Sequence, residues 1–378
     1  MIMNTLDEKY MRIALRLAEK AAGRTSPNPM VGAVVVKNGR VIARGWHKKA
    51  GEPHAEVIAL AKAGSSAKGA TLYVTLEPCS HVNKRTPPCS PLVIQSGVKR
   101  VVIAMIDPNR KVSGGGIRAI RKAGIEVVTG VLEPEARLLN EAYIKFITKG
   151  VPFVTLKIAQ TLDGRIATAK GDSKWITGAK AREEGHKLRD RNDAILVGIN
   201  TVLKDDPALT ARIPDGRDPV RVIVDSRLSI PLNAKVLTQR STAKTVVAAL
   251  ASAPRTKVNC LQATGVEVLF VKSNRGRIDL PDLMKELGKQ DIMSVLIEGG
   301  AEINASALKA GIVDKIVMFI APTLMTGRDS LCSIGGSSPV KLDHAVKLSE
   351  VTAQFVGPDL KIEGYVMKMK KKGRKVRR

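Results

Sequence analysis

A chain carrying His54-Ala55-Glu56, then Pro78-Cys79, then Pro87-Pro88-Cys89 is constrained to bring one imidazole and two thiolates together. Such a mixed nitrogen and sulfur donor set suits zinc. Structural zinc sites are closed by four protein ligands, whereas catalytic ones keep three and leave the fourth position open for chemistry. Glu56 follows His54 closely without being needed as a ligand. His-x-Glu with Pro-Cys is the signature of zinc deaminases, in which the Glu moves protons between water and the leaving ammonia. The spacing therefore predicts His54, Cys79 and Cys89 as zinc ligands and Glu56 as the acid-base group of a hydrolytic deamination. A structural zinc closed by His47 or His81 stays open at this point.

Local sequence supports ligand convergence. A thiolate is stabilised by unpaired backbone N–H groups at a helix start, and Pro91, just after Cys89, suits a first helical turn. His54 opens a second helical pattern ending at Ala63.

The remaining periodicities place these motifs in an α/β layered domain. Apolar residues at Ile13, Ala14, Leu17, Ala18 and Ala21 mark an amphipathic helix. Val31–Val36 and Val41–Ala43 flank Asn38-Gly39, a hairpin signal. Strands are expected at Thr71–Leu76, Arg100–Ala104 and Glu126–Val128, with helices at Gly116–Ala123 and, as one closing element, Glu133–Lys149. Gly150-Val151-Pro152 breaks the pattern. A domain over residues 1–149 and a second over 150–367 follow, with 368–378 as a basic tail read as disordered. The second series predicts strands at Phe153–Ala159, Ala194–Gly198, Val220–Val224, Thr245–Ala249, Val266–Phe270, Ser294–Glu298 and Lys315–Ile320. Its helices are expected at Ala179–Arg191, Pro281–Lys289 and Ile303–Ala310. At 378 residues the chain has room for two cores.

Composition narrows the function classes. The net charge of +27 fits nucleic acid or phosphorylated small molecules as partners. The tail supplies eight of those charges, so the rest of the chain keeps the larger share. Aromatic residues are only 3%, too few to stack exposed bases along a strand, so nucleic acid is not the expected partner. No apolar run reaches a membrane-spanning length of ~20 residues, and Met1–Tyr10 has no signal-peptide pattern. Four cysteines are too few for a disulfide scaffold, which fits a cytoplasmic protein; Cys260 and Cys332 read as packed free thiols.

Thr25-Ser26-Pro27-Asn28-Pro29, Gly51-Glu52-Pro53-His54-Ala55-Glu56, Leu76-Glu77-Pro78-Cys79-Ser80-His81 and Thr86-Pro87-Pro88-Cys89 together resemble the bifunctional riboflavin-biosynthesis deaminase-reductases. The resemblance runs over nearly the whole chain except the tail. It implies a cytidine-deaminase-like zinc domain followed by a dihydrofolate-reductase-like domain. It also implies deamination of 2,5-diamino-6-(5-phosphoribosylamino)pyrimidin-4(3H)-one to 5-amino-6-(5-phosphoribosylamino)uracil, then NADPH-dependent reduction of the ribosyl to the ribityl side chain. Asn28, His47, His81 and Arg85 would bind the phosphorylated pyrimidine. The segment between Cys79 and Cys89 departs from the family by one extra residue, which leaves Lys84 and Arg85 both in reach of the substrate phosphate; Arg85 keeps the spacing to Cys89.

The second domain has no Gly-x-Gly-x-x-Gly after a strand, so a Rossmann site is not supported. The resemblance there rests on Leu156–Ala159, Leu162–Arg165, Ser173–Thr177, Asp205–Thr210 and Glu298-Gly299-Gly300. It implies NADPH contacts at Ala159, Trp175, Thr201, Asp205, Ser226, Gly300, Ala301, Glu302, Ile303, Asn304, Ala305 and Ser306. Ser173, Arg189, Leu209, Arg212 and Glu298 would hold the substrate, and Lys157 is a candidate catalytic group. A homo-oligomer is expected. An RNA-acting zinc deaminase and a noncatalytic zinc-stabilised nucleic-acid-binding protein are the alternatives.

Overall fold

The computed structural model describes residues 5–80, 87–110 and 113–367. The chain divides into two compact units, Met1–Val151 and Pro152–Arg378. Gly150, in the left-handed region at φ 68, ends the last helix of the first unit.

In the first unit, helix α1 (Thr5–Glu19) precedes strands β1 (Gly32–Lys37) and β2 (Arg40–Trp46). Asn38 and Gly39 turn between them at φ 49 and 72, the two left-handed positions that such a dipeptide fills cheaply. Then follow α2 (Ala55–Ala63), β3 (Thr71–Leu76), α3 (Cys89–Gln95), β4 (Arg100–Met105), α4 (Gly115–Lys122), β5 (Glu126–Thr129), α5 (Glu133–Leu139) and α6 (Glu141–Lys149). The sheet runs β2-β1-β3-β4-β5, antiparallel through β3 and parallel beyond it. Helices lie on both faces. A Cβ on Gly32 would strike the Ala14 carbonyl of α1, and one on Gly45 the Ala55 carbonyl of α2. Gly45 pairs with Ala33, and neighbours along a strand point to opposite faces. These two glycines let α1 and α2 press against the sheet from either side.

The expected single helix over Glu133–Lys149 is interrupted. Asn140, at φ −107 and ψ 22, separates α5 from α6. Its side chain accepts from the Met30 amide at 2.8 Å and donates to the Met30 carbonyl at 3.0 Å. Asn readily trades helical geometry for such side-chain bonds. The break ties the Ser26–Met30 segment to α6.

The second unit contains β6 (Phe153–Thr161), β7 (Arg165–Ala167), α7 (Ala179–Arg191), β8 (Ala194–Gly198), α8 (Ile199–Asp205), β9 (Val220–Val224), α9 (Lys235–Thr238), β10 (Thr245–Ala249), α10 (Arg255–Ala263) and β11 (Glu267–Phe270). A small hairpin, β12 (Ser273–Asn274) and β13 (Arg277–Ile278), leads into α11 (Leu280–Lys289), β14 (Ser294–Ile297), α12 (Ala301–Lys309), β15 (Lys315–Ala321), β16 (Leu331–Cys332), β17 (Leu348–Val356) and β18 (Asp359–Val366). Nine strands form one sheet in the order β11-β10-β9-β8-β14-β6-β15-β18-β17. The first seven are mutually parallel and the last two antiparallel. Buried parallel strands read as apolar runs, and their expected positions agree with the structure to within one or two residues. The β17–β18 ribbon carries no such run. Most of β17 is exposed, which explains its absence from the sequence reading. Cys260 and Cys332, expected to pack, are both exposed: Cys260 falls on the outer side of α10, and Cys332 sits on a two-residue strand. Among the described residues, no helix is long and apolar enough to cross a membrane.

Replacing Asn140 with Ala should strand the Met30 amide and carbonyl and destabilise the first unit by about 1–2 kcal/mol. Hydrogen exchange of the Met30 amide should quicken, while protection in the second unit stays as it was.

Candidate active sites

His54 is the N-cap of α2, Glu56 lies in that helix's first turn, and Cys89 is the first residue of α3 after Pro88 as N-cap. Two helix starts thus deliver the donors, and Cys79 arrives on the loop after β3. The His54 Nδ1, Cys79 Sγ and Cys89 Sγ atoms lie within 4.8 Å of one another. Nδ1 is 3.1 Å from Cys89 Sγ and 3.7 Å from Cys79 Sγ. A tetrahedral zinc with ordinary bond lengths sets such N···S edges at about 3.6 Å. The Cys89 amide also donates to Cys79 Sγ at 3.4 Å. The neighbouring Cys79 thiol and burial both push the Cys89 thiol up, so a cation is what this pair of sulfurs needs to be held as thiolates. The residues fit zinc. Glu56 is buried beside them, and burial lifts its carboxyl to about 7, against the opposing pull of the His54 ring.

The adjoining cavity, about 150 Å³, is lined by Asn28, His47, His54, Glu56, Cys79, Asp107, Asn109 and Tyr143 among others. His47 Nδ1 meets the Pro53 carbonyl at 3.2 Å, and its Nε2 meets Asn28 Nδ2 at 3.1 Å. A carbonyl accepts only, so Nδ1 carries the proton and Nε2 accepts from the Asn28 amide. Burial lowers the His47 pKa, in keeping with a neutral ring. Both His47 nitrogens are therefore engaged away from the zinc donors, which argues against His47 as a fourth ligand. Asn28 keeps its amide oxygen as the remaining acceptor. Asp107 accepts from Tyr143 Oη at 3.0 Å and from the Asn109 amide at 2.9 Å. Asp107, Asn109 and Tyr143 carry no motif-like spacing and escaped the sequence reading; the ends of parallel strands, where ligands gather in open α/β sheets, are the signal that points to Asp107 and Asn109 after β4. His81 and Arg85 lie outside the described residues.

Glu77, adjacent to Pro78-Cys79, is buried and accepts four backbone N–H groups. These come from Asp107 (3.3 Å), Gly114 (2.9 Å), Gly116 (3.0 Å) and Ile117 (3.2 Å). The carboxylate thereby caps α4 and fixes the loop that presents Cys79.

The second unit holds a larger cavity of about 700 Å³ at the carboxyl ends of β8 and β9 and beyond β14. Of the residues expected there, Ser173, Thr201, Asp205, Ser226, Gly300, Ala301, Glu302, Ile303 and Ser306 line it. Helices α8 and α12 begin at its wall, capped by Gly198 and Gly300. A Cβ on the preceding Gly299 would collide with Ile303 Cγ2, so only glycine lets α12 start this close. Bare N–H groups at a helix start favour a pyrophosphate, and the cavity fits a dinucleotide.

The other expected residues stand apart from that lining. Ala159 packs with Leu188 beside Val317 and Phe319. Trp175 is 67% exposed, with the Arg182 guanidinium 4.7 Å over its ring, so it is not core. Asn304 is 1% exposed and donates to the Ser333 carbonyl at 2.9 Å. Ala305 lies on the same helix, near Gly336. Leu209 is buried with φ 57, and the exposed Arg212 donates its amide to His186 Nδ1 at 3.3 Å. Glu298 receives Arg189 Nε and Nη2 at 2.8 and 2.9 Å and Lys157 Nζ at 3.4 Å. Those two cations hold its carboxyl down at about 2 despite burial. Arg189 also donates to the Thr210 carbonyl at 3.1 Å, so it ties Glu298 to the segment that carries Leu209 and Arg212.

A model of the cytidine and deoxycytidylate deaminase zinc-binding region matches residues 4–105, and one of the RibD C-terminal domain matches residues 152–362. The chain is similar to the riboflavin biosynthesis protein RibD of Aquifex aeolicus, 48% identical over 96% of this chain and 99% of that one. It is 41% identical to the Escherichia coli RibD over 94% of this chain and 98% of that one. Among solved structures, Acinetobacter baumannii RibD superposes with a TM-score of 0.87 at 38% identity, covering 96% of this chain and 99% of that chain. A Thermotoga maritima diaminohydroxyphosphoribosylaminopyrimidine deaminase/5-amino-6-(5-phosphoribosylamino)uracil reductase gives 0.84 at 39%, with the same coverage.

Glu77→Ala leaves four backbone donors without their acceptor and frees the Cys79 loop. Zinc affinity, measured by competition with a chelator, should fall about 10- to 100-fold, the range for lost supporting contacts around metal ligands.

Proposed function

The chain belongs to the RibD family of riboflavin-biosynthesis deaminase-reductases, and on that premise we propose which of its residues carry each reaction. The observation that carries the first assignment is the three-donor His54, Cys79 and Cys89 cluster with the buried Glu56 carboxyl next to it. His54, Cys79 and Cys89 would hold a zinc ion, which would supply Lewis acidity there. Glu56, buried next to the donor cluster, would take a proton from the attacking water on a carboxylate oxygen and deliver it to the departing amine. Asn28, oriented by His47, offers its amide oxygen to an N–H of the pyrimidine. His81 and Arg85 are assigned to the same substrate, Arg85 at its phosphate, where a guanidinium fork fits. The substrate is the phosphoribosylated diaminopyrimidinone.

In the second unit, NADPH supplies the hydride. Gly300 through Ser306, with Thr201, Asp205 and Ser226, form its bed, and Ala159 and Trp175 complete the set. Ser173, Arg189, Leu209, Arg212 and Glu298 hold the phosphoribosyl substrate. Lys157, held with Arg189 by Glu298, is assigned as the group that would protonate the sugar oxygen. The enzyme works in the cytoplasm as a homo-oligomer. The RNA-acting and noncatalytic alternatives are not favoured by a similarity that spans both units.

Two variants separate the activities. Glu56→Gln should keep zinc but lose deamination by about 10²- to 10⁴-fold, the usual worth of a positioned acid-base group. Reduction of pre-deaminated substrate should continue. Lys157→Met should lower reductase kcat with deamination intact. Mass spectrometry of the phosphoribosyl-diaminopyrimidinone, without and then with NADPH, reads both steps. An unchanged substrate in both tubes, with zinc bound, would overturn the assignment.

A further inference from the structure

One wall of the second cavity is unused by these assignments. The β12–β13 hairpin pairs Ser273 with Ile278 and Asn274 with Arg277. Arg275, Gly276 and Arg277 at its tip line the cavity together with Lys204, Ser226 and Arg227. The base of the hairpin is fixed. The Asp279 amide donates to the Lys272 carbonyl at 2.9 Å, the Lys272 amide to Asp282 Oδ2 at 3.1 Å, and Ile278 and Leu280 are buried.

The tip residues are not those a turn alone would select. Arg275 and Gly276 sit at φ 52 and 77, the paired left-handed positions of a type I′ turn, whose first place suits Asn or Gly. An arginine in that place points to a use for its charge. None of Lys204, Arg227, Arg275 and Arg277 makes a side-chain ion pair or hydrogen bond among the described residues.

The acid at the end of β9 supplies the complementary observation. Sites for the unphosphorylated dinucleotide use a carboxylate near such a strand end to bind the adenosine ribose hydroxyls. Asp225 occupies that place here but is 1% exposed. Its oxygens accept from the Ile230 amide at 2.8 Å, Ser229 Oγ at 3.1 Å and the Arg227 amide at 3.4 Å. The carboxylate is spent on its own loop, and the rim it would have occupied is basic. The α12 start at Gly300, in the cavity lining, suits the pyrophosphate, which leaves the arginines for a further phosphate.

We propose that the Arg275-Gly276-Arg277 hairpin, acting with Arg227, grips the 2′-phosphate of the dinucleotide and sets the preference for the phosphorylated over the unphosphorylated cofactor. This rests on the reading of the second unit as an NADPH-dependent reductase. An arginine fork matches a phosphate dianion bidentately.

The test uses direct binding to the full zinc-loaded chain, by calorimetry, of NADPH, NADH, adenosine 2′,5′-bisphosphate and 5′-AMP. Arg275→Asn keeps a residue that suits the turn, and Arg277→Thr keeps one that suits an exposed strand, so both remove charge without disturbing the hairpin. The double variant should bind NADPH and the bisphosphate about tenfold or more weakly, the scale of a lost charge-assisted bond. NADH and 5′-AMP should change by less than about twofold, and the wild-type preference should shrink in high salt. Equal weakening of all four ligands, or none, would overturn the hairpin's role while NADPH binding to the unsubstituted chain keeps the reductase reading intact. No dinucleotide binding by the unsubstituted chain would overturn the reductase reading itself.

Discussion

Glu77 is the point on which the first site depends. Its carboxylate collects backbone donors from Asp107, Gly114, Gly116 and Ile117, joining the end of β3 to the end of β4 and to the first turn of α4. A Cβ on Gly116 would run into the Pro78 carbonyl, so helix and ligand loop touch backbone to backbone. Cys79 is therefore held from behind by a capped helix, while His54 and Cys89 stand on helix starts of their own. Zinc ligands placed this way keep their geometry without relying on side-chain packing.

The same economy governs the remaining walls of that site. Asn140 divides what would be a continuous closing helix and grips Met30 through both faces of its amide. Its cost in helical bonds is offset by fixing the turn that carries Asn28. Tyr143 on α6 then reaches Asp107 at 3.0 Å. A helix continuous through Asn140 would lack the side-chain geometry that clasps Met30, so the interruption and the site are one feature.

What was legible in the sequence follows from periodicity and from motif density. The buried parallel strands, the hairpin at Asn38-Gly39 and the His54, Cys79 and Cys89 donor set are all written in contiguous residues or fixed spacings. Asp107 and Asn109 were not, because they become neighbours of Glu56 only through the parallel pairing of β3 with β4. The β17–β18 ribbon escaped because β17 is exposed along most of its length and carries no apolar pattern. Glu298 was expected to touch substrate. Its bonds to Arg189 and Lys157 depend on β14 and β6 lying side by side with α7 across them, a tertiary fact no local pattern carries. The arginines of the β12–β13 hairpin carry no motif, and only the fold brings them to the cavity wall.

In a chain with a net charge of +27, several of the acids are engaged in holding the fold together. Asp7 is bound by Arg100 and Tyr73, Glu77 by four amides, and Asp193 by the Met293 and Ser294 amides. Asp225 holds its own loop, Asp314 the Val154 amide at 2.8 Å, and Asp359 the Gly178 amide at 2.7 Å. Each joins segments that the sequence separates or turns sharply. Carboxylates bonded to backbone donors are stabilised where isolated buried charges would be costly. They are therefore engaged in the fold and do not offer free carboxylates at the surface. Most lysines and arginines, with their long stems, keep their charged heads at the surface, although Arg189 and Arg221 are used inside. The excess of lysine and arginine leaves the molecule strongly basic, a field that favours anionic ligands. At the second cavity Asp225 is engaged by its own loop, whereas Asp205 and Glu302 stay exposed in the lining, so phosphate recognition there depends on where the arginine forks are placed and not on net charge alone.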